Sequence, residues 1–296
     1  MNIKFILKII GLSLCVSASA SAEWYSTVEG KYKYSNNLNN GISNDTVDDS
    51  IFALSAVGGK YFQLNDHDKL SIQSQFNGEV YDRFKGMNNL DLGGSLALTR
   101  KWALGLYAPW TSLSFGGAYI DYNNQVRSGS KFHVQLSSGK RITERLSVWA
   151  DLQFDKRFTD YNVIVDQGVS GSVYNLTNKS FKLNTLYLFD SGLFIKSSYQ
   201  FRQGDVVTTT LKNNANPNID AVTTAASLDA TFGSQAEAYR LTGTTHILNA
   251  GVSKVIMPHW LMSVEYQYVM IYGKGNNNYF VSTPALTSSD AFRISS

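Results

Sequence analysis

The stretch Glu144–Phe158, E-R-L-S-V-W-A-D-L-Q-F-D-K-R-F, alternates between apolar and polar side chains from residue 146 onward. The apolar set occupies the even positions and a mainly polar set the odd ones: Leu146, Val148, Ala150, Leu152 and Phe154 against Ser147, Trp149, Asp151, Gln153 and Asp155. Successive side chains of a β-strand point to opposite faces, so this period of two predicts a strand with one apolar and one polar face. A helix would turn Leu146 and Asp151 to unrelated angles and leave no continuous apolar stripe.

The same alternation recurs along nearly the whole chain. It predicts eleven strands and leaves room for a twelfth, at residues 24–34, 51–64, 70–80, 89–99, 102–120, 131–137, 144–158, 181–189, 193–202, 240–253 and 260–270. Pro109 interrupts the fifth of these, and the apolar parity shifts from even to odd beyond it, so we expect a β-bulge there. Tyr and Phe are abundant, with 17 and 16 residues, and only 17% of residues are charged, which suits strands with aromatic girdles.

The predicted connections alternate in length. Those after odd-numbered strands are mostly long and polar, at 35–50, 82–88, 121–129, 159–178 and 203–239, and the others are short, at 65–68, 99–101, 139–143, 190–192 and 254–259. Transmembrane barrels have this asymmetry, with short periplasmic turns and longer outer loops, whereas β-sandwiches and lipocalins have no need of it. Trp24, Trp102 and Trp260 lie at the turn-side ends of their strands, where an interfacial aromatic belt is expected.

Residues 1–22 have the pattern of a secretory signal peptide. Two lysines supply positive charge, Ile9–Val16 is a short and mostly apolar core, and Ala20–Ala22 is an A-x-A cleavage site. We expect cleavage before Glu23, which removes Cys15, the chain's one cysteine, and lowers the formal net charge from +3 to +1 because both lysines are lost. Without a thiol the mature chain forms no disulfide or thiolate metal site, and without a basic patch it is not expected to bind nucleic acid.

The signal peptide, the alternating segments, the loop asymmetry and the cysteine-free mature chain together resemble the bacterial outer-membrane β-barrel proteins, over residues 24 to about 272. The resemblance implies an all-β fold, an antiparallel transmembrane β-barrel of about twelve strands within residues 23–296, with both ends in the periplasm. It also implies a place in the outer membrane of a Gram-negative bacterium. Contact with outer-membrane lipid and lipopolysaccharide follows, as does assembly by periplasmic chaperones and the barrel-assembly machinery. Such barrels usually end on a terminal aromatic residue, but here Arg293–Ser296 follows Phe292, so either the last strand is irregular or the chain is a truncated version of a longer one.

In a membrane the apolar face of each strand must point to lipid, so the polar face lines the lumen. We therefore predict a lumen whose ionisable side chains nearly balance in charge: Glu29, Lys31, Lys33, Lys60, Glu79, Asp91, Lys131, His133, Asp151, Asp155, Lys182, Lys196, Arg202 and Glu265. Specific anion porins carry a basic track of one sign, which this set lacks. Mutually paired charges along a narrow barrel are therefore favoured over a specific substrate track.

The outer loops are predicted to form an acidic rim, made by Asp45, Asp48, Asp49, Asp205, Asp220, Asp229 and Glu237. A rim of one sign concentrates counter-ions at the mouth within a Debye length of about 10 Å at 0.1 M salt, which predicts a mild preference for cations. The predicted loop at 203–239 is also long enough to fold inward and narrow the pore.

The leading functional hypothesis is a porin-like channel for passive passage of small polar solutes or ions. The alternative is a closed structural barrel that binds a partner through its long loops, and the third hypothesis is a membrane-embedded hydrolase. No enzyme is predicted, because none of the four histidines lies beside both a nucleophile and an acid. Two fall in predicted turns and two on strands without a triad partner: His67, His259, His133 and His246. No cofactor is expected, and the acidic residues at 45–49 lack calcium-loop spacing, so no metal site is predicted.

Overall fold

A computed structural model describes residues 22–41, 45–161, 168–211, 223–257, 260–273, 279–285 and 292–295. Most of them form fourteen strands: β1 (Ala22–Ser35), β2 (Asp49–Gln63), β3 (Asp68–Tyr81), β4 (Asn89–Lys101), β5 (Trp110–Tyr122), β6 (Gly129–Arg141), β7 (Leu146–Thr159), β8 (Leu176–Leu188), β9 (Leu193–Leu211), β10 (Thr223–Leu228), β11 (Ala236–Met257), β12 (Trp260–Gly273), β13 (Tyr279–Ala285) and β14 (Phe292–Ser295). Short 3-10 turns lie in three connections, at Lys85–Met87, Gln125–Arg127 and Gly171–Tyr174. The predicted signal peptide up to residue 21 lies outside the described residues, as do Asp220 and His259.

The strands form one antiparallel sheet that closes on itself. Successive strands from β1 to β9 pair with one another, β9 pairs with β11, and β11 pairs with β12. β13 pairs with β12 at residues 267–273, and β14 pairs both with β12 at 260–261 and with β1 at 27–30. β13 and β14 therefore share the twelfth position in the wall. This confirms the predicted barrel of about twelve strands, and the described part of the last strand consists of two pieces.

The outer face of the wall is apolar and exposed. On β7, the even-numbered Leu152 and Phe154 are 55% and 40% exposed. The odd-numbered Asp151 points to the opposite face and lines an interior cavity. Trp24 and Trp260 are exposed at the periplasmic ends of β1 and β12. A continuous exposed apolar wall is the surface that a membrane barrel presents to lipid. Within the described part of the chain, no helix is long and apolar enough to cross a membrane.

The fifth predicted strand begins too early. Residues 102–109 form a turn between β4 and β5, so the expected bulge at Pro109 is wrong. The Trp102 amide closes the turn by donating to the Pro109 carbonyl at 2.9 Å, and Gly105 within it adopts φ +101°. Its leucines are exposed and apolar, which is why the turn has the hydrophobicity of a strand. The parity shift in the sequence is the change of strand across this turn.

β9 and β11 are longer than predicted. The connection predicted at 203–239 contains the end of β9, all of β10 and the start of β11. The end of β9 is buried on successive residues, Thr208, Thr209 and Thr210. A strand covered on both faces loses the alternation of a half-exposed one, so a period of two does not reveal it. Both strands run past their wall neighbours, because β8 pairs with β9 only to Gly204 and β12 pairs with β11 only from Gly243.

Candidate functional site

Three cavities with mainly polar linings lie among the described residues of the barrel interior. One of about 420 Å³ lies toward the extracellular end between β1 and β6, around Glu29 and Lys33. Another of about 390 Å³ lies toward the periplasmic end between β3 and β7, where His133 is joined by serine and glutamine side chains. The third, of about 370 Å³, lies between β7 and β12. The second and third cavities meet at Trp149 and Asp151.

The charges of the extracellular cavity neutralise one another. Three ion pairs lie along its wall: Lys31 Nζ to Glu29 Oε2 at 2.8 Å, Lys33 Nζ to Glu79 Oε1 at 2.7 Å, and Lys131 to Asp91. Asp91 is buried, at 5% exposure. Since each base lies against an acid, this part of the interior presents little net field to a passing ion.

The charges of the cavity between β7 and β12 are arranged differently. Asp151 accepts hydrogen bonds from Asn184 Nδ2 at 2.8 Å and from Gln135 Nε2 at 3.3 Å. Lys182, Lys196 and Glu265 line the same cavity. None of these three forms an ion pair with a residue that the structure describes. Their charges remain open to a solute.

The structure places the other predicted interior residues on the same face. His133 lines the second cavity and stands opposite Asp155 in the β6–β7 register. Asp155 accepts a hydrogen bond from Gln153 Nε2 at 2.6 Å. Arg202 stands opposite Ser180 and donates from Nη2 to the Asp205 carbonyl at 3.3 Å.

Lys60 is the exception among the residues predicted to line the lumen. It is paired in register with Trp24, so both side chains leave the same face of the sheet, and Trp24 is 68% exposed on the outer wall. Lys60 Nζ lies 5.0 Å from the centre of the Trp24 ring and 5.2 Å from that of Phe62. The prediction is wrong because Lys60 stands near the periplasmic edge, where a lysine on the lipid side reaches the polar interface.

A cap covers the extracellular mouth. We use this name for the β10–β11 hairpin, the end of β9 and the loops that contact them, residues 223–241, 206–210, 36–41, 82–88, 123–128 and 168–175. The β1–β2 loop reaches the end of β9, where the Thr209 amide donates to the Asn39 carbonyl at 2.9 Å and Asn39 Nδ2 donates to the Thr209 carbonyl at 2.8 Å. On another side, Phe84 contacts Phe232 with ring centres 4.9 Å apart. Three positions of the wall separate β9 from β1, so these contacts span the opening.

The cap has a buried centre of its own. Val173, Tyr174 and Ala238 are almost completely buried in one cluster. Beside them Arg127 forms an ion pair with Asp229, and the two side chains are 10% and 0% exposed. These residues come from the β5–β6 connection, the β7–β8 connection and the β10–β11 hairpin, so the cluster joins the three into one unit.

Several contacts hold this ion pair in place. Asp229 also accepts hydrogen bonds from the Tyr174 hydroxyl at 3.1 Å and from Thr209 Oγ1 at 3.3 Å. The Arg127 guanidinium lies 4.6 Å from the centre of the Tyr174 ring. Burial acts to lower the pKa of Arg127, but the neighbouring Tyr174 and Asp229 outweigh it, so this pKa is raised. Burial also raises the pKa of the Tyr174 hydroxyl. Arg127 is therefore cationic and Tyr174 neutral at physiological pH.

The predicted acidic rim needs correction, since arginines neutralise two of its members. Asp229 is paired with Arg127 inside the cap. Asp48 lies 2.6 Å from Arg83 Nη1, and a hydrogen bond from Tyr34, aided by Arg83, lowers the pKa of its carboxyl. Both arginines lie in connections that hold no residue of the predicted rim, Arg83 between β3 and β4 and Arg127 between β5 and β6. The expected preference for cations is weakened accordingly.

Four further rim residues accept hydrogen bonds. Asp49 is buried and accepts from the Phe84 amide at 3.0 Å. The remaining three accept from neighbouring chain segments: Asp45 from the Thr210 hydroxyl, Asp205 from the Thr177 amide at 2.7 Å, and Glu237 from the Tyr239 hydroxyl at 2.5 Å. Asp205 and Glu237 lie on strands, where a loop was predicted.

Sequence reasoning missed Arg127 and Tyr174, the residues at the centre of the cap. Arg127 follows Val126, the one valine of a polar loop, whereas Tyr174 follows Val173 in a connection that holds several other valines. Neither segment indicates which residues of the other it would meet in a buried cluster.

The histidines make no catalytic arrangement in the part of the chain that the structure describes. His246 faces outward, where its Nδ1 and the Tyr199 hydroxyl are 2.8 Å apart, and His67 Nδ1 contacts the Lys101 carbonyl at 2.9 Å. Among the described residues, no hydrogen bond joins His133 to a serine or carboxylate. Nor do three His, Cys, Asp or Glu side chains among them meet in a group able to hold a metal ion.

No protein-family model and no curated protein sequence matches the chain. Among solved structures, an outer membrane channel from Pseudomonas putida F1 is similar, with a TM-score of 0.51 and 12% identity over 94% of this chain and 94% of that one. For the NanC porin the TM-score is 0.43 and the sequence identity 9%, over 91% of this chain and 97% of that one. For the translocator domain of the autotransporter NalP from Neisseria meningitidis the TM-score is 0.42 and the sequence identity 8%, over 99% of this chain and 92% of that one. The first of these likenesses agrees with the closed antiparallel sheet and its exposed apolar wall: the chain has the fold of a bacterial outer-membrane β-barrel.

Proposed function

We propose that this protein is an outer-membrane channel for small polar solutes, closed at its extracellular mouth by the cap and conducting when the cap opens. The interior carries the proposal, because it contains polar cavities of about 370 to 420 Å³. A barrel with a purely structural role fills such space with side chains. Polar walls around that much volume suit water and dissolved solutes.

The charges of the interior support a pore of weak ionic selectivity. Bases and acids alternate along the wall, and those of the extracellular cavity are paired with one another. Such a wall offers no track of one sign along which an anion or a cation would move. The Pseudomonas putida barrel of the same fold is itself an outer membrane channel.

The alternative function is a closed barrel that binds a partner through its outer surface, and the cap is the observation that favours it. Its centre is as buried as a protein core, with Val173 and Ala238 at 0% exposure. If the cap never opens, the cavities beneath it are only internal solvent. Conductance separates the two proposals.

An engineered disulfide tests the channel and its gate together. A Cβ placed on Gly86 would lie 3.1 Å from Thr231 Cβ, so a small shift brings the pair to the separation of about 3.5–4.5 Å that a disulfide needs. The variant Gly86→Cys/Thr231→Cys, in a Cys15→Ser background, would tie the β3–β4 loop to the β10–β11 hairpin. In planar bilayers we expect the oxidised variant to lose conductance and dithiothreitol to restore it.

Each single-cysteine variant is the matched control and should conduct like the wild type under oxidising conditions. Loss of both free thiols confirms that the bridge has formed. If the bridged protein conducts like the reduced one, the cap is not the gate. If the wild type shows no conductance at any voltage, the channel is rejected and the partner-binding barrel takes its place.

A further inference from the structure

We infer that the cavity between β7 and β12 is a binding site for a small zwitterionic solute, one that carries both a carboxylate and an ammonium group. This inference rests on the proposed channel, since a permeating solute would meet the cavity on its way through the barrel. Its basis is the arrangement of Lys196, Glu265 and Gly251.

Lys196 and Glu265 flank a glycine of the wall on its inner face. Gly251 on β11 is paired in register with Lys196 on β9 and with Glu265 on β12. The two charged residues are therefore separated by two strand spacings, about 10 Å between their Cα atoms. Gly251 places no side chain between the two charges, and the Glu265 side chain lies against it, since a Cβ there would be 2.9 Å from Glu265 Cγ.

The two charges do not form an ion pair with each other across Gly251. Neither Lys196 nor Glu265 has an ion-pair partner within 4.0 Å among the described residues. In the extracellular cavity of the same barrel, by contrast, Lys31 and Lys33 each lie against a glutamate. The open pair leaves room for a ligand whose carboxylate contacts Lys196 and whose ammonium contacts Glu265.

The remainder of the cavity selects against solutes of one charge. Asp151 and Lys182 stand opposite each other in the β7–β8 register, so the lining holds two acids and two bases and its formal charge is zero. A neutral lining gives a simple anion or cation no net attraction. A solute with both charges satisfies both members of the open pair, because charge complementarity across a contact sets specificity.

The test is isothermal titration calorimetry on the full chain purified in detergent, with γ-aminobutyrate as the probe. Butyrate and n-butylamine, which share its four-carbon skeleton and carry one charge each, are the comparison ligands. We expect γ-aminobutyrate to bind about tenfold tighter than either, the effect of one charge-assisted contact. Equal affinity for the three ligands would overturn the site.

Variants assign the two contacts. Glu265→Gln should reduce the affinity for γ-aminobutyrate to that for butyrate, and Lys196→Met should reduce it to that for n-butylamine. Gly251→Ala keeps both charges but places a Cβ against Glu265 Cγ, so it should displace the Glu265 side chain and also weaken binding. The matched control is Glu29→Gln, which removes a carboxylate from the other cavity. If Glu29→Gln reduces the affinity for γ-aminobutyrate as much as Glu265→Gln does, the effect comes from the total charge of the interior and the site is rejected.

Failure of the site and failure of the channel give different results. Binding at equilibrium in detergent does not require current through the barrel. A protein that discriminates among the three ligands but never conducts retains the site and loses the channel. A protein that conducts but binds all three alike retains the channel and loses the site. Gel mobility of the folded, unheated band confirms that each variant forms the barrel.

Discussion

Removing the charge of Asp229 should open the cap. The variant Asp229→Asn keeps the shape of the side chain but leaves the guanidinium of Arg127, in a residue that is 8% exposed, without its carboxylate. Breaking a buried ion pair by removing one partner costs about 3–5 kcal/mol. If that cost falls on the closed state, the ratio of open to closed time rises by about two to three and a half orders of magnitude. Single-channel recordings in planar bilayers measure this ratio directly.

The matched control is Asp48→Asn, which breaks an ion pair of the same chemistry at the same end of the barrel. Asp48 and its partner Arg83 have side chains that are 49% and 58% exposed, so water screens their interaction. We expect this variant to open little more often than the wild type. The contrast between the two substitutions therefore reports burial and not the loss of a negative charge from the mouth.

A double variant refines the test. Arg127→Met alone leaves Asp229 buried with its charge unpaired, whereas Arg127→Met/Asp229→Asn leaves no unpaired charge. The double variant should therefore raise the ratio of open to closed time by less than the product of the two single-variant effects. The reasoning is refuted if Asp229→Asn behaves like the wild type or like Asp48→Asn, or if the two single effects simply multiply in the double variant.

Three further predictions concern the wall, the orientation and pH. Leu152 faces lipid at 55% exposure, so Leu152→Lys should cost about 2–4 kcal/mol of stability and diminish the heat-modifiable folded band on a gel. Gln153→Lys on the inner face should preserve this band, and equal losses in the two variants would contradict the assigned faces. An epitope tag at Asn214 should bind antibody on intact cells and one at Ser191 should not, and labelling at Ser191 would invert the topology. Because burial raises the pKa of Tyr174, the stability it adds to the cap is complete below about pH 10 and declines as pH rises toward the higher folded pKa. Open time should then increase above pH 10 in the wild type but not in Tyr174→Phe, and an equal increase in both would exclude Tyr174 as the cause.

The wall was predictable from sequence because its two faces meet different surroundings. Leu152 faces lipid and Asp151 faces the polar interior, and this contrast repeats at every second residue of most strands. The polarity of a residue did not predict its place in two regions. Lys60 is polar but lies on the outer wall near the membrane edge, and the 102–109 turn is as apolar as a strand because of its leucines.

The cap was not predictable by the same means. Thr208, Thr209 and Thr210 are buried on consecutive positions, so their strand has no alternating pattern. Arg127 and Asp229 are 102 residues apart in the chain and meet only because the barrel brings their connections together. Nothing within either segment marks the other as its partner. The pairings within the lumen are hidden for the same reason, since parity identifies the face of a residue and only register identifies its neighbour.

The use of a buried ion pair at the centre of the cap bears on how the cap works. Two charges taken out of water recover little net free energy from each other, and apolar residues of similar volume often stabilise a core as well or better. If the cap opens as proposed, however, Arg127 and Asp229 both regain their hydration, which an apolar pair would not. An open cap is therefore less unfavourable than it would be if the same contact were apolar. The cap thus combines a small apolar cluster around Val173 with a charged contact that releases readily into water, an arrangement suited to a cover that opens and closes.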